Sequence, residues 1–514
     1  MTVTEPKNLQ FTSSDERISE LLTHMNIISD LGAFSALADW DQQTGMPEGA
    51  GEARAHQMAT MQGLIHERLT NPRLGELVLQ LEEVVKQPEY TDADRGLVYH
   101  ARRSYDQSTK LPREMVEEME RVRVKSFEAW VKARHNNDFA SFSPWLQRTV
   151  EFQREVADRF GYQECRYDAL LDLYEPGLTA SRVDVLFAPV RDVSATILKR
   201  IQESGHKVDT SSLSNTFPVE KQQELNKHLL ESMGYDFNRG QMAVSAHPFT
   251  TSFGSPLDVR LTTRYDEKNL PWSIMSSLHE GGHAVYEQGC APSLLRTPLA
   301  SGASMGVHES QSRLWENGIG RSEAFWRGQF PMVQRAFPEQ FQNLDAKTFA
   351  HALNHVEPSL IRTEADEVTY NLHIIIRFEI ERALINGDIA VESLPSIWNS
   401  KYKEYLSVEP PTDTLGVLQD VHWSSGFGYF PSYTLGNLYG AQIYSKLRSV
   451  FPDFDARLEQ GDTRFVLSWL QENMYAYGAT YKPADLLKRV VGEEADPQYF
   501  VRYLTEKFSG IYGL

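Results

Sequence analysis

Apolar residues recur every three or four positions over most of the chain, the spacing of helices that bury one side. Ile18, Leu21, Leu22, Met25 and Ile28 set that rhythm first, and Ser13 with Glu16 makes a candidate capping box ahead of them. Amphipathic stretches at Leu74–Val85 and Met115–Val131 continue it, so residues 15–160 read as helical, broken by turns at Pro47-Glu48-Gly49 and Asn71-Pro72. Near residue 245 the pattern changes. His247–Phe253 and Leu257–Tyr265 are rich in β-branched and aromatic residues, and Gly254-Ser255-Pro256 separates them, which predicts a small sheet. From Pro271 onward the helical spacing returns, with segments near 271–288, 304–317, 347–356, 367–385 and 433–448. The chain therefore reads as mainly α with a small β-sheet. It shows no internal repeat, low-complexity linker or composition break, and so reads as one unit in three parts: a helical scaffold and wall over 1–240, a middle part over 241–440, and a helical C-terminal part over 441–514.

Composition narrows the possibilities. The 514 residues are 41% hydrophobic and 24% charged, an ordinary balance for a globular protein. The formal net charge is −19, which repels phosphate backbones. The Arg and Lys residues between Arg121 and Lys132 alternate with Glu, as on solvated helix faces, so no nucleic-acid partner is expected. Cys165 and Cys290 are the only cysteines, a content that suits a reducing compartment. The N-terminus has no basic segment followed by an apolar core, and the densest apolar patch, His373–Ile376, runs into Arg377. A cytoplasmic protein with no membrane partner is the expectation.

The chemistry is concentrated in His279-Glu280-Gly281-Gly282-His283. On a helix the two imidazoles lie one turn apart on one face, where both reach one cation, and Glu280 sits beside them to take a proton from an activated water. Pro271 suits the first turn of this helix and Gly289 its end. The two inner glycines cost about 1 kcal/mol each relative to Ala, and their small size lets a substrate or a neighbouring backbone come close. A hydrolytic zinc site needs a third protein ligand. Glu309 and His308, in Gly306-Val307-His308-Glu309-Ser310-Gln311, both follow at a distance that allows an antiparallel return; ligand chemistry favours Glu309, and spacing alone does not separate them.

Further motifs occur in order: His247-Pro248-Phe249, Asp258-Val259-Arg260-Leu261-Thr262, Ile361-Arg362-Thr363-Glu364-Ala365-Asp366 and Gly416-Val417-Leu418-Gln419-Asp420-Val421-His422-Trp423. With the two zinc-site motifs they resemble the carboxypeptidase Taq family of metallocarboxypeptidases, by motif over residues 247 to 423. The resemblance implies Glu309 as third ligand and an almost wholly helical, neurolysin-like fold with a deep active-site groove. It also implies zinc, or cobalt in its place, a homodimer, and release of C-terminal residues with broad preference and poor action at proline.

The remaining roles follow from residue chemistry. Glu280 is the expected general base and acid. Tyr429 and Tyr433, on a segment beginning at Gly426, are the candidate phenolic donors to an oxyanion, a use of tyrosine known in related peptidases. A substrate with a free C-terminus needs a cationic partner, and Arg362 is the first candidate, with a local pair to Asp366 as its structural alternative. Arg260 is second, although Asp258 stands beside it. His247 and His422 are candidate substrate-binding groups, each with a buried structural histidine as alternative. Gln419 and Asp420 are candidates to orient a zinc histidine. The rival functions are an endopeptidase or oligopeptidase on the same metal site, and a non-catalytic scaffold with a structural zinc, for which Cys290 is near enough to serve.

Overall fold

Helices form where the apolar rhythm predicts them, and the computed structural model, which describes residues 6–514, is mainly helical with one three-stranded sheet. The first long helix, α1 (Glu16–Thr44), is capped by Asp15 and not by Ser13, which lies two residues ahead of the cap position. The Asp15 carboxylate accepts from the Arg17 backbone N–H at 2.9 Å. The chain divides into two compact units, each built from three stretches. One combines the chain up to Thr109 with Asp209–Leu353 and Ile443–Glu494; the other combines Lys110–Val208, Asn354–Gln442 and Ala495–Leu514. The units exchange near residues 109, 208, 353, 442 and 494. Composition gave no hint of them because both units are built of the same kind of helix.

In the first unit, α2 (Val219–Met233), the strands β1 (Met242–Val244), β2 (Thr250–Ser252) and β3 (Val259–Thr263), and the helices α3 (Leu270–Gln288) and α4 (Met305–Arg313) follow one another along the chain. The sheet has the order β1-β3-β2: β2 runs antiparallel to β3, with Thr251 opposite Arg260, and β1 runs parallel to it, with Ala243 opposite Thr262. The pattern around residues 247–265 predicts β2 and β3; β1, at three residues, is too short to show an alternation. Side chains tie the sheet to α3, through Thr263 with Ser277 and Ser252 with Glu287.

The second unit is centred on α5 (Tyr370–Asn386), which is buried on nearly every side; Leu372, Ile374, Ile376 and Ile380 have no exposed surface. The apolar patch at His373–Ile376 is thus the middle of a core helix. No helix among the described residues is long and apolar enough to cross a membrane. The helix that closes the chain, Gln498–Tyr512, buries Phe500, Leu504, Phe508 and Tyr512, and its Lys507 reaches Glu367 at 2.5 Å.

Near the end of α5 the buried Glu381 accepts from Tyr167 Oη at 2.7 Å, Trp423 Nε1 at 2.9 Å and Gly428 N at 3.0 Å. Burial pushes this carboxyl up to about 7, although the three donors and Arg377 act in the other direction. A folded-state pKa above the unfolded value adds stability that is fully present below the unfolded pKa of about 4.3 and is lost as the pH rises through 7. Glu381→Gln is expected to lower stability at every pH, because one of the donors then faces an NH2 group. It should also flatten the decline in melting temperature between about pH 5 and 8. Parallel profiles for the two proteins in thermal denaturation would contradict this.

Candidate metal centre

The helix α3 begins where the Asn269 side chain accepts from the Trp272 N–H at 3.1 Å, with Pro271 in its first turn. Leu270, Ile274 and Leu278 are fully buried and fix the helix in the unit, leaving His279 and His283 on one face. The helix α4 starts at Ser304, whose hydroxyl accepts from the Val307 N–H, and it carries Glu309 toward that face. One donor atom each from His279, His283 and Glu309 lie within 4.8 Å of one another, and among the described residues no other trio of His, Cys, Asp or Glu does so. The two Nε2 atoms are 3.7 and 3.5 Å from Glu309 Oε2. Donors around a tetrahedral ion at about 2.0–2.2 Å stand roughly 3.3–3.6 Å apart, so two imidazoles and one carboxylate at these separations fit a divalent cation of the zinc kind. His308 and Cys290 lie outside the trio. His308 has both ring nitrogens engaged elsewhere, and the Cys290 thiol points to Tyr286 O at 3.9 Å.

Each of the three residues has a partner behind it. His279 Nδ1 lies 2.9 Å from Glu316 Oε2, His283 Nδ1 lies 2.6 Å from His308 Nδ1, and Glu309 Oε1 accepts from Arg313 Nε at 2.7 Å. Glu316 sits in a π-helical turn, Leu314–Ile319, that continues α4 and is a common irregularity near functional groups. Burial alone would raise the carboxyls of Glu309 and Glu316. Arg313 and the histidines instead hold Glu309 well below the usual range and Glu316 down to about 2. Burial pulls His283 down to about 4, so its imidazole is neutral at pH 7. For His279 burial also acts downward, but Glu309 and Glu316 outweigh it and the net shift is upward. That shift reports a negative potential at its ring, and the same potential attracts a metal cation.

Glu280 is buried beside this group. Thr250 Oγ1, from β2, reaches its Oε2 at 2.7 Å and its backbone oxygen at 2.9 Å. Burial raises the Glu280 carboxyl, partly opposed by His279 and Thr250. Gly282 sits where α3 and α4 meet backbone to backbone. A Cβ there would lie 2.5 Å from Gln311 O and 2.7 Å from Ser312 Cα, so its smallness serves the approach of the neighbouring helix and not that of a substrate.

In the same unit, Arg260 forms two 2.8 Å bonds to Asp258 and lies over Phe253, and His247 is exposed in the loop between β1 and β2, so the buried alternative for it is overturned. The other candidates lie in the second unit. Arg362 is buried and pairs with Asp420 at 2.9 Å; Asp366 instead accepts from Thr369 and from the N–H of Val368, which corrects the local pair considered above. Asp420 also binds Arg377 at 2.5 Å, and Gln419 Oε1 accepts from Arg377 Nη2 and from the Arg362 N–H. Gln419 and Asp420 thus serve the two arginines, and the partners of the metal-site histidines are Glu316 and His308. Asp420 lies well below the usual carboxyl range, because Arg377 and Arg362 outweigh its burial. Burial brings His422 down to about 4; its ring stacks on Tyr429. Tyr429 and Tyr433 pack edge to face at 5.1 Å, and the Arg362 guanidinium lies 5.1 Å from the Tyr433 ring centre.

Sequence reading missed Thr250, Glu287, Arg313, Glu316 and Arg377. Glu287 follows His283 by four residues and Arg313 follows Glu309 by four, so helical spacing marks both; Thr250 and Arg377 carry no such local signal.

The chain is similar to known proteins along nearly its whole length. The model of the family described as carboxypeptidase Taq (M32) metallopeptidase matches residues 20–508. Carboxypeptidase 1 of Bacillus subtilis is 42% identical over 486 residues, 94% of this chain and 96% of its own. Thermostable carboxypeptidase 1 of Thermus thermophilus is 41% identical, with the same coverage. The crystal structure of the M32 carboxypeptidase from Deinococcus radiodurans R1 superposes with a TM-score of 0.93 at 37% identity, covering 97% of this chain and all of that one.

Proposed function

Because the chain belongs to the carboxypeptidase Taq (M32) metallopeptidase family, and so is a metallocarboxypeptidase acting on peptides, we propose that His279, His283 and Glu309 hold zinc and that Glu280 moves the proton. The observation that carries this reading is the meeting of two imidazole nitrogens and one carboxylate, at cation-binding separations, next to a buried carboxyl that binds none of them. A divalent ion in this place supplies a Lewis acid that makes water nucleophilic near neutral pH and polarises a carbonyl. Glu280 is held by Thr250 through Oε2, so Oε1 takes the proton of the attacking water and passes it to the leaving amine. Tyr429 or Tyr433 donates its phenol to the developing oxyanion. Cobalt, with the same ligand preferences, replaces zinc in this scheme.

Arg362 is our assignment for the substrate carboxylate, on grounds of charge. Arg362 and Arg377 share one close carboxylate partner, Asp420, whereas Arg260 has Asp258 to itself. Removing Arg362 leaves Asp420 paired to Arg377. His422 and His247 complete the substrate contacts in this reading. We also place the protein in the cytoplasm as a homodimer with broad preference and poor action at proline; sedimentation tests the dimer against the 58.6 kDa chain mass.

The test compares an N-blocked dipeptide bearing a free C-terminus with the same peptide amidated. Release from the free acid alone, abolished by chelator and restored by zinc, is expected. Arg362→Ala should raise KM for the free acid by roughly 10–100-fold, the worth of a charge-assisted hydrogen-bond pair. An unchanged KM sinks the Arg362 assignment, and equal cleavage of both peptides sinks the exopeptidase reading.

A further inference from the structure

Behind His283 lies a chain of groups that the hydrolytic steps above do not use. Its Nδ1 is 2.6 Å from His308 Nδ1, and His308 Nε2 is 2.7 Å from Glu287 Oε1. Glu287 is 4% exposed and also accepts from Ser252 Oγ at 2.9 Å, Ser301 Oγ at 3.1 Å and the Gly302 N–H at 3.2 Å. Those donors tie β2 and the loop before α4 to one carboxylate on α3. His308 is confined by the same surroundings. The Tyr286 ring lies 5.2 Å from it, and a Cβ on Gly302 would come within 2.6 Å of its Cδ2.

For a metal-binding His283 these contacts admit one consistent placement of the hydrogens. A carboxylate only accepts, so His308 Nε2 carries a hydrogen toward Glu287. A His283 that offers Nε2 to a cation carries its hydrogen on Nδ1, and at 2.6 Å it donates that hydrogen to His308 Nδ1. His283 is left with its lone pair on Nε2, the atom 3.5 Å from Glu309 Oε2. The two histidines of α3 are therefore set differently: His279 is oriented by a carboxylate directly, through Glu316, and His283 through an intervening imidazole.

We propose that His308 and Glu287 are positioning residues that fix His283 in the Nδ1–H tautomer, so that its Nε2 is presented ready-made to a metal ion. The proposal rests on the metal-centre reading given above. It makes the histidine next to Glu309 a partner of a ligand and not a ligand, and it gives Glu287, one turn beyond His283, a function.

Two substitutions of similar size separate the two ends of the His308 ring. His308→Asn places an acceptor near the Nδ1 position and gives up the bond to Glu287; His308→Gln reaches toward Glu287 and gives up the acceptor for His283. Zinc affinity of the full-length apoprotein is measured by competition with a chromogenic chelator at neutral pH, beside wild type and His283→Ala. His308→Gln should bind zinc about 10–100-fold more weakly than wild type, and His308→Asn should stay within about threefold. Equal affinities for the two variants, or the reverse order, overturn the proposal. If neither variant folds, Glu287→Gln decides: weaker zinc binding supports the relay and unchanged binding overturns it. A wild type that takes up no zinc, or zinc held equally well by His283→Ala, instead overturns the metal-centre reading itself.

Discussion

Glu280→Gln should lower kcat by about 10²–10⁴-fold, the usual contribution of a positioned general base, while KM, metal content and melting temperature stay close to wild type. The amide keeps the shape of the carboxyl and still offers an oxygen to the Thr250 hydroxyl, 2.7 Å from Oε2 in the wild type. What it loses is the proposed capacity to take a proton from water and return it to the amine. Burial already disfavours a charge at this position, so a neutral replacement costs little stability. Steady-state kinetics with parallel metal analysis check this result. A kcat within about tenfold of wild type would remove Glu280 from the reaction.

The two glycines beside the metal-site histidines should differ sharply. At Gly282 the added carbon of an alanine meets main-chain atoms, Gln311 O at 2.5 Å and Ser312 Cα at 2.7 Å, and two helix backbones have to move apart to admit it. Overpacking of this kind costs about 1–3 kcal/mol and sometimes more. Here it also separates His283 from Glu309, because one rides on α3 and the other on α4. Gly282→Ala should therefore lose both stability and metal affinity. At Gly281 the same carbon meets Leu230 Cδ2 at 2.6 Å and Met233 Cε at 2.9 Å, the ends of flexible side chains on α2. Their adjustment is offset by the roughly 1 kcal/mol by which Ala exceeds Gly in helix propensity, so Gly281→Ala should remain within about 1 kcal/mol of wild type. Equal melting temperatures and equal metal retention for the two variants would contradict the close-approach argument.

Short-range pattern made much of this legible in advance. The spacing of His279 and His283, the apolar side formed by Ile274 and Leu278, and the β-branched run of β3 are local properties, readable within one or two turns of chain. Third-ligand candidates could be narrowed to His308 and Glu309, adjacent residues that point in different directions on α4; only the placement of α4 against α3 distinguishes a donor facing the other two from an imidazole lodged behind one of them. The pairing of Arg362 with Asp420 spans 58 residues, and the contact of Thr250 with Glu280 depends on how β2 packs on α3. Such contacts are products of packing and leave no periodicity. The cap of α1 was misplaced for a smaller reason: Ser13 and Asp15 are both good capping residues, and only the start of the helix at Glu16 chooses between them.

Each compact unit takes its last stretch from the end of the chain. The first is closed by Ile443–Glu494, which supplies Tyr475, fully buried, 2.9 Å from Gln311 and packed on Tyr286. The second is closed by Ala495–Leu514, which supplies Phe500, Leu504, Phe508 and Tyr512 to its core. A ribosome that has made the whole metal-binding segment has therefore finished neither core. His279, His283 and Glu309 emerge well before the residues that pack the helices carrying them, so the order of synthesis and the order of burial are out of step. A nascent chain can bury the helices that carry these residues only once Ile443–Glu494 has also been made.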